Sequence, residues 1–204
     1  MSSNSNTARK HRLLKRTAVR LGLLSAIAAL VLSYSYLWKP LELPRYRIVM
    51  RDGLAYDGQA RRPFTGLVFE KFPGGARQTA IEMRKGKVNG WSRGWFENGK
   101  VEVEEYFVDG VSQGTRRRWF DNGQRRSEAQ IDHGKLSGLF VEWYDNGQKA
   151  VEMTMVDGKP DGVAQSWHRT GALKSRTTLK VGDILEQQFF PERVAQNEAP
   201  ATQP

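Results

Sequence analysis

The sequence predicts an all-β fold: an elongated antiparallel β-meander of about five tandem 24-residue hairpin repeats, preceded by one N-terminal transmembrane helix. Three observations predict it: a metre of glycines, an alternation of period two between them, and an uncharged run behind a basic N-terminus. Gly66, Gly90, Gly114, Gly138 and Gly162 stand 24 residues apart. Gly75, Gly99, Gly123, Gly147 and Gly171 form a second column nine residues later, and Gly86, Gly110, Gly134, Gly158 and Gly182 a third, twenty after the first. Fifteen of the 20 glycines fall on these columns without a gap, and a fixed period of this size marks a repeat architecture.

The chain divides in order. Residues 1–20 are a basic tail, expected to be cytoplasmic, with Arg9, Lys10, Arg12, Lys15, Arg16 and Arg20. Leu21–Trp38 is an 18-residue stretch with no charge, about 27 Å long as a helix and sufficient for a bilayer core. Tyr34, Tyr36 and Trp38 sit at its far end, where amphipathic rings suit the headgroups. They also make a poor cleavage site, so an uncleaved signal anchor is expected over a signal peptide. The positive-inside rule then places the repeats outside the cytoplasm, on a single-pass protein of a bacterial inner membrane.

The net charge of +10 does not point to nucleic acid once its distribution is read. Residues 1–39 hold seven Lys and Arg and no acid, whereas residues 40–204 hold 25 bases against 22 acids. With no Cys, disulfides and thiol chemistry are excluded. Residues 39–62 read as a linker in which Ile48-Val49-Met50 suits a short strand. Residues 63–186 are the repeats, and residues 187–204 a disordered tail in which Phe189 and Phe190 are placed to cap the last repeat.

Positions within a repeat are counted from the first glycine as zero. Position 5 is Trp95, Trp119, Trp143 and Trp167, with Lys71 in the first repeat. Position 17 is apolar throughout: Met83, Phe107, Ile131, Met155 and Leu179. Between the two strands lie Glu97-Asn98-Gly99, Asp121-Asn122-Gly123 and Asp145-Asn146-Gly147. The first repeat has Pro73-Gly74-Gly75 instead. Proline suits the first position of a type I turn and not of a type I′ turn. A three-residue loop is therefore expected, a type I turn closed by a left-handed glycine as a G1 bulge, with Gly75, Gly99, Gly123, Gly147 and Gly171 as structural turn residues. That turn sets position 5 opposite 11 and position 3 opposite 13. The tryptophans and the apolar positions 13, 15 and 17 then share one face.

The pattern W-[FY]-[DE]-N-G-[QK] followed by D-G-K-x-x-G resembles the MORN-repeat variant, and Pro63-Phe64-Thr65-Gly66 resembles the usual start of such an array. Similar bacterial proteins are classed with the YwqK-type antitoxins of toxin–antitoxin systems. The resemblance covers residues 63–186 and implies one hairpin per repeat. It departs at Lys71 and at His168-Arg169-Thr170, in the two terminal repeats.

Nothing in the chain points to catalysis, a metal or a cofactor. His11, His133 and His168 share no ligand spacing. His133 stands where other repeats have Asp109 and Asp157, so it is a turn residue, and the recurrent Glu97, Asp121 and Asp145 belong to the hairpin loops. Two partner-binding candidates remain. Trp95, Trp119, Trp143 and Trp167 lie on one face about 10 Å apart, either as core or as a recognition groove. Repeat 3 crowds Arg116, Arg117, Arg118, Arg125 and Arg126 into one hairpin, where the expected register sets Arg118 against Arg126 with Arg116 nearby. Directly opposed like charges destabilise. Either Glu102, Glu104, Glu128 and Glu142 neutralise them, or Arg116, Arg118 and Arg126 form a socket for an acidic partner. The expected function is that of a membrane-anchored, non-enzymatic repeat protein binding another protein, in the form the resemblance implies an antitoxin or immunity protein masking a toxin. The alternative is an envelope scaffold whose repeats bind anionic lipid or self-associate; nucleic acid is disfavoured as a partner.

Overall fold

A computed structural model of the protein describes residues 40–192. Fifteen strands make up most of it. Strand β1 is Glu42–Pro44, β2 Ile48–Arg51, β3 Leu54–Asp57 and β4 Gly66–Lys71. Then follow β5 Arg77–Arg84, β6 Lys87–Trp95, β7 Val101–Val108, β8 Val111–Trp119, β9 Arg125–Asp132, β10 Lys135–Trp143 and β11 Lys149–Val156. The last are β12 Lys159–Pro160, β13 Gly162–Trp167, β14 Leu173–Lys180 and β15 Asp183–Phe189. Thirteen strands form one sheet in which β4 to β11, β13, β14 and β15 follow each other in chain order, with β12 paired to β11. The meander of hairpins is therefore as expected.

The expected fold class is corrected in two respects. The sheet is not wholly antiparallel, because β1 runs parallel to β4 at its edge. Among the described residues the only helix is a short 3-10 turn, Arg45–Arg47, and none is long and apolar enough to cross a membrane. The expected transmembrane helix, Leu21–Trp38, lies outside the described residues, and the single-pass inner-membrane placement that rested on it finds no support in the structure. The physical reason is that the described segments alternate with period two and are broken by glycine turns, which favours strands over helix.

The hairpin loops follow the expected chemistry. In repeat 4 the Gly147 amide donates to the Tyr144 carbonyl at 2.9 Å, and the Tyr144 amide to the Gln148 carbonyl at 2.8 Å. Gly147 has φ +84, so a type I turn ends in a left-handed glycine. The Asn146 side chain has two roles: Oδ1 accepts from the Gln148 amide at 3.1 Å, and Nδ2 donates to the Arg169 carbonyl of the next loop at 2.9 Å. Asn98 and Asn122 repeat both contacts, so the asparagines tie successive loops together. Gly147→Val is expected to cost about 1–3 kcal/mol, since a β-branched residue is forced into the left-handed region. Asp145→Ala is expected to cost much less, because a type I turn tolerates most residues there. Thermal unfolding of the two variants checks this; equal, small shifts would refute the loop assignment.

The return turns are two-residue. Asp109, His133 and Asp157 have φ near +50, each followed by a left-handed glycine, as type I′ turns require.

The register holds one surprise. Trp143 pairs with Lys149 as expected, but the next pair is Glu142 with Val151. Ala150 is left over as a bulge. The same happens at Gln78, Glu102, Arg126 and Lys174, always at position 12. One extra residue reverses the alternation beyond it. Position 3 therefore faces 14, not 13, and the expectation that the tryptophans share a face with positions 13, 15 and 17 is overturned. The tryptophans lie on one face with positions 1, 3, 11, 14 and 16; positions 2, 4, 13, 15 and 17 lie on the other.

The stretch read as a linker, residues 39–62, holds β1, β2 and β3 and caps the first repeat. Leu43, Phe64 and Val68 are buried together, with Ile48 and Met83 against them. The fully buried Ala55 donates its amide to the Gly86 carbonyl at 2.9 Å, and Gly86 in turn donates to the Phe64 carbonyl at 2.7 Å. At the far end β15 takes in Gln187 to Phe189, which were assigned to the tail, and the Phe190 amide bonds the Lys174 carbonyl at 2.8 Å. The rest of the expected tail, residues 193–204, lies outside the described residues.

Candidate functional site

The two faces of the sheet carry different chemistry, and the position 12 bulge decides which residue goes to which. On the tryptophan face, positions 3 and 14 make a row running across the strands: Ala80, Arg93, Glu104, Arg117, Glu128, Val141 and Glu152. Arg93 bonds Glu104 at 2.9 Å and Arg117 bonds Glu128 at 3.2 Å. Arg125, from position 11, also reaches Glu128. These pairs are half-exposed, and such pairs typically contribute less than about 1 kcal/mol each. Their effect is to engage Arg93, Arg117 and Arg125 with carboxylates on this face.

Trp95, Trp119, Trp143 and Trp167 are half-buried on that face, and none belongs to the core. The core reading, in which they pack on positions 13, 15 and 17, fails because those positions point the other way. Cations cover some of them instead. The Arg125 guanidinium lies 5.6 Å from the Trp119 ring centre and the Lys149 ammonium 5.2 Å from that of Trp167, distances at which a cation is attracted to a ring face.

The opposite face brings Arg116, Arg118 and Arg126 together. Arg118 and Arg116 stand at positions 4 and 2 of β8, and Arg126 is the bulge residue of β9. Arg118 pairs with Ser127, so the residue directly opposite it is serine, and Arg126 stands beside that pair rather than in it. This moves Arg126 out of the expected direct pairing but leaves it beside Arg118 on the same face. Arg116 reaches Glu105 at 3.8 Å. Arg118 and Arg126 are exposed, and neither has an ion-pair partner among the described residues. The Arg126 guanidinium lies 5.7 Å from the Phe120 ring centre, which holds it on this face. Of the four glutamates expected to neutralise the cluster, Glu128 takes Arg117 and Arg125 and Glu104 takes Arg93; both lie on the wrong face for Arg118.

Beside these arginines is a cavity of about 280 Å³, lined by Gln78, Thr79, Gly94, Glu102, Arg118 and Arg126 among others. Gly94 lines it at the position that Arg118 occupies in the next repeat, and a Cβ there would come within 2.9 Å of Val103 Cγ1. The cavity holds two guanidiniums and one carboxylate, an arrangement suited to a carboxylate or phosphate group with a hydrogen-bond donor beside it. The arginines were legible in the sequence and Gly94 was not singled out, although position 4 is otherwise never glycine.

A larger open groove of about 710 Å³ lies at the cap, lined by Pro44, Arg45, Tyr46, Phe69, Glu70, Lys71 and Gln78. Sequence reasoning missed it, because it depends on β1 turning back along β4. His133 sits in a return turn. Its Nδ1 is 2.7 Å from the Asp132 carboxylate, which Gln113 bonds from the other side at 3.0 Å. The Gln113 bond, with His133 adding to it, holds the Asp132 carboxyl below the usual carboxylate range. His168 Nε2 lies 3.2 Å from the Phe190 carbonyl and so joins the last loop to the chain end. Among the described residues no group of three His, Cys, Asp or Glu could hold a metal ion.

No curated protein matches the chain. Residues 90–109 and 136–157 match the MORN repeat variant family. Each begins at or just before a first-column glycine, runs through one hairpin and ends at a return turn. The hairpins β6–β7 and β10–β11 are MORN-variant repeats, and the same glycine metre extends through their neighbours.

Proposed function

We propose that the protein is a non-enzymatic binding protein that engages another protein through the arginine face of its repeats, with an acidic segment of the partner seated at Arg116, Arg118 and Arg126. One observation carries this reading. Arg118 and Arg126 stay exposed and unpaired beside a cavity, while Arg93, Arg117 and Arg125 of the other face are paired to glutamates. The resemblance to YwqK-type antitoxins supplies a specific form, in which the partner is a toxin and binding masks it.

The experiment is a triple substitution, Arg116→Ser, Arg118→Ser and Arg126→Ala, assayed on a partner captured with the wild-type chain. Folding is expected to be intact or slightly firmer, because other repeats carry Ser92, Gly94 and Ala150 at these positions. Affinity is expected to fall about tenfold or more, which corresponds to about 1.4 kcal/mol. Wild-type affinity is expected to weaken with salt, since exposed charge contacts are screened within about 8 Å at physiological ionic strength. Unchanged affinity in the triple variant would move recognition to Trp95, Trp119, Trp143 and Trp167 and sink the proposal.

A further inference from the structure

The sheet ends differently at its two edges. At one, β1 is three residues long and finishes at Pro44, a short strand that blunts further pairing. At the other, β15 runs for seven residues with no proline or lysine, and all seven are exposed. Ile184, Leu185 and Phe189 are 59%, 66% and 68% exposed. The register to β14 turns Ile184 and Phe189 to one side. Ile184 pairs with Leu179 and Phe189 with Ser175, both on the arginine face, and Leu185 is a bulge residue next to Ile184. The outer strand thus offers exposed apolar side chains, and among the described residues no strand pairs with its outer backbone edge.

The phase of that edge follows from one bond. The Phe190 amide donates to the Lys174 carbonyl, so the backbone of Phe190 faces β14. Bonded and non-bonded pairs alternate in antiparallel sheets. The backbone groups of Gln188 and Glu186 therefore also face inward and those of Phe189 and Gln187 face out, and the alternation ends at the bulge residue Leu185. A two-fold axis at Gln187 sets Gln187 against its own copy and Leu185 against Phe189, twice over. This register uses both outward residues, Gln187 and Phe189, and it sets Glu186 against Gln188. A two-fold axis at Glu186 would oppose two glutamates and meet backbone groups already bonded to β14.

We propose that β15 is a homodimerisation edge: a second copy of this chain adds antiparallel across it, with the axis at Gln187, joining two sheets into one. Hydrogen-bond phase and charge select the same register, and this self-complementarity names a second copy as the occupant. A two-fold interface of this kind is isologous, so it closes at two copies and does not extend into fibres.

The test uses the full chain in mild detergent, so that the apolar run of residues 21–38 does not associate by itself. Sedimentation over a concentration series is expected to show a dimer, at twice the 23.2 kDa chain mass. Leu185→Lys with Phe189→Lys is expected to give monomer with unchanged far-UV circular dichroism. Because the chain has no cysteine, single-cysteine variants report the register cleanly. Gln187→Cys is expected to be joined by a short bis-maleimide, and Arg118→Cys is not. A wild type that is monomeric at every concentration overturns the proposal. So does a dimer that survives the double lysine variant, or one that disappears when the chain ends at Glu192, which would assign association to residues 193–204. Gln187→Cys that fails to cross-link in a dimeric sample overturns the register.

Discussion

Gly86→Ala is expected to release the N-terminal cap, whereas Gly110→Ala, at the same position one repeat later, is expected to be tolerated. Both glycines are left-handed, with φ +80 and +88, so alanine at either carries about 1–2 kcal/mol of backbone strain. Their surroundings differ. A Cβ at Gly86 would lie 2.9 Å from Leu54 Cβ, 3.0 Å from the Ala55 amide nitrogen and 3.0 Å from Pro63 Cβ, whereas one at Gly110 meets nothing within 4 Å. Two of the three neighbours of Gly86 are rigid parts of the β2–β3 hairpin and its return, so the hairpin must move away. That adds about 1–3 kcal/mol of overpacking. The bonds from Ala55 to Gly86 and from Gly86 to Phe64 then lengthen or break. Urea unfolding measures the difference, and amide exchange at Ala55 locates it. Equal destabilisation of the two variants would mean that the cap contributes nothing at this contact.

Phe64→Ala is expected to be the most damaging single truncation, at about 3–5 kcal/mol. Phe64 is 5% exposed and forms the centre of the core cluster with Leu43 and Val68. A sheet one layer thick has few places where a large side chain is covered on all sides, and here the cap creates one. Removal leaves a cavity whose walls belong to β1 and β4 and cannot both close on it. Tyr46→Ala is the matched control: its ring is 86% exposed, and the change is expected to stay within about 0.5 kcal/mol. Calorimetry that shows a small loss for Phe64→Ala would place the stability of the chain in the repeats alone.

Both predictions concern a segment whose importance was poorly legible in the sequence. Residues 39–62 lie outside the 24-residue metre and contain prolines and arginines, so composition reads them as a connection. Only the strand at Ile48-Val49-Met50 stood out. That Leu43 runs parallel to β4, and that Ala55 bonds a return turn, depends on contacts between residues 20 to 40 apart in sequence, for which no local pattern exists. The expected membrane helix is not part of the described fold for a different reason: its signal was compositional and belonged to residues 21–38, outside the described residues.

The sequence by itself determined the repeat length, the number of hairpins, the chain order of the strands and the loop type. Each of these follows from residues with a strong local preference. Glycine alone enters the left-handed region at little cost, proline excludes a type I′ turn at Pro73, and apolar residues at period two mark strands. The identity of the candidate site was also legible as far as composition goes, since five arginines in one hairpin have no counterpart in the other repeats. Which of them are free was decided by the tertiary structure. A bulge at position 12 occurs with Gln78, Glu102, Arg126, Ala150 and Lys174, residues with nothing in common that would announce it. Yet one extra residue reverses every side chain beyond it. It carries Glu128 to the tryptophan face with Arg117 and Arg125, keeps Arg118 and Arg126 on the other, and separates the tryptophans from the apolar positions they were expected to cover. Strand register is a property of two paired segments, and the pairing geometry of the second strand is not written in the residue types of the first.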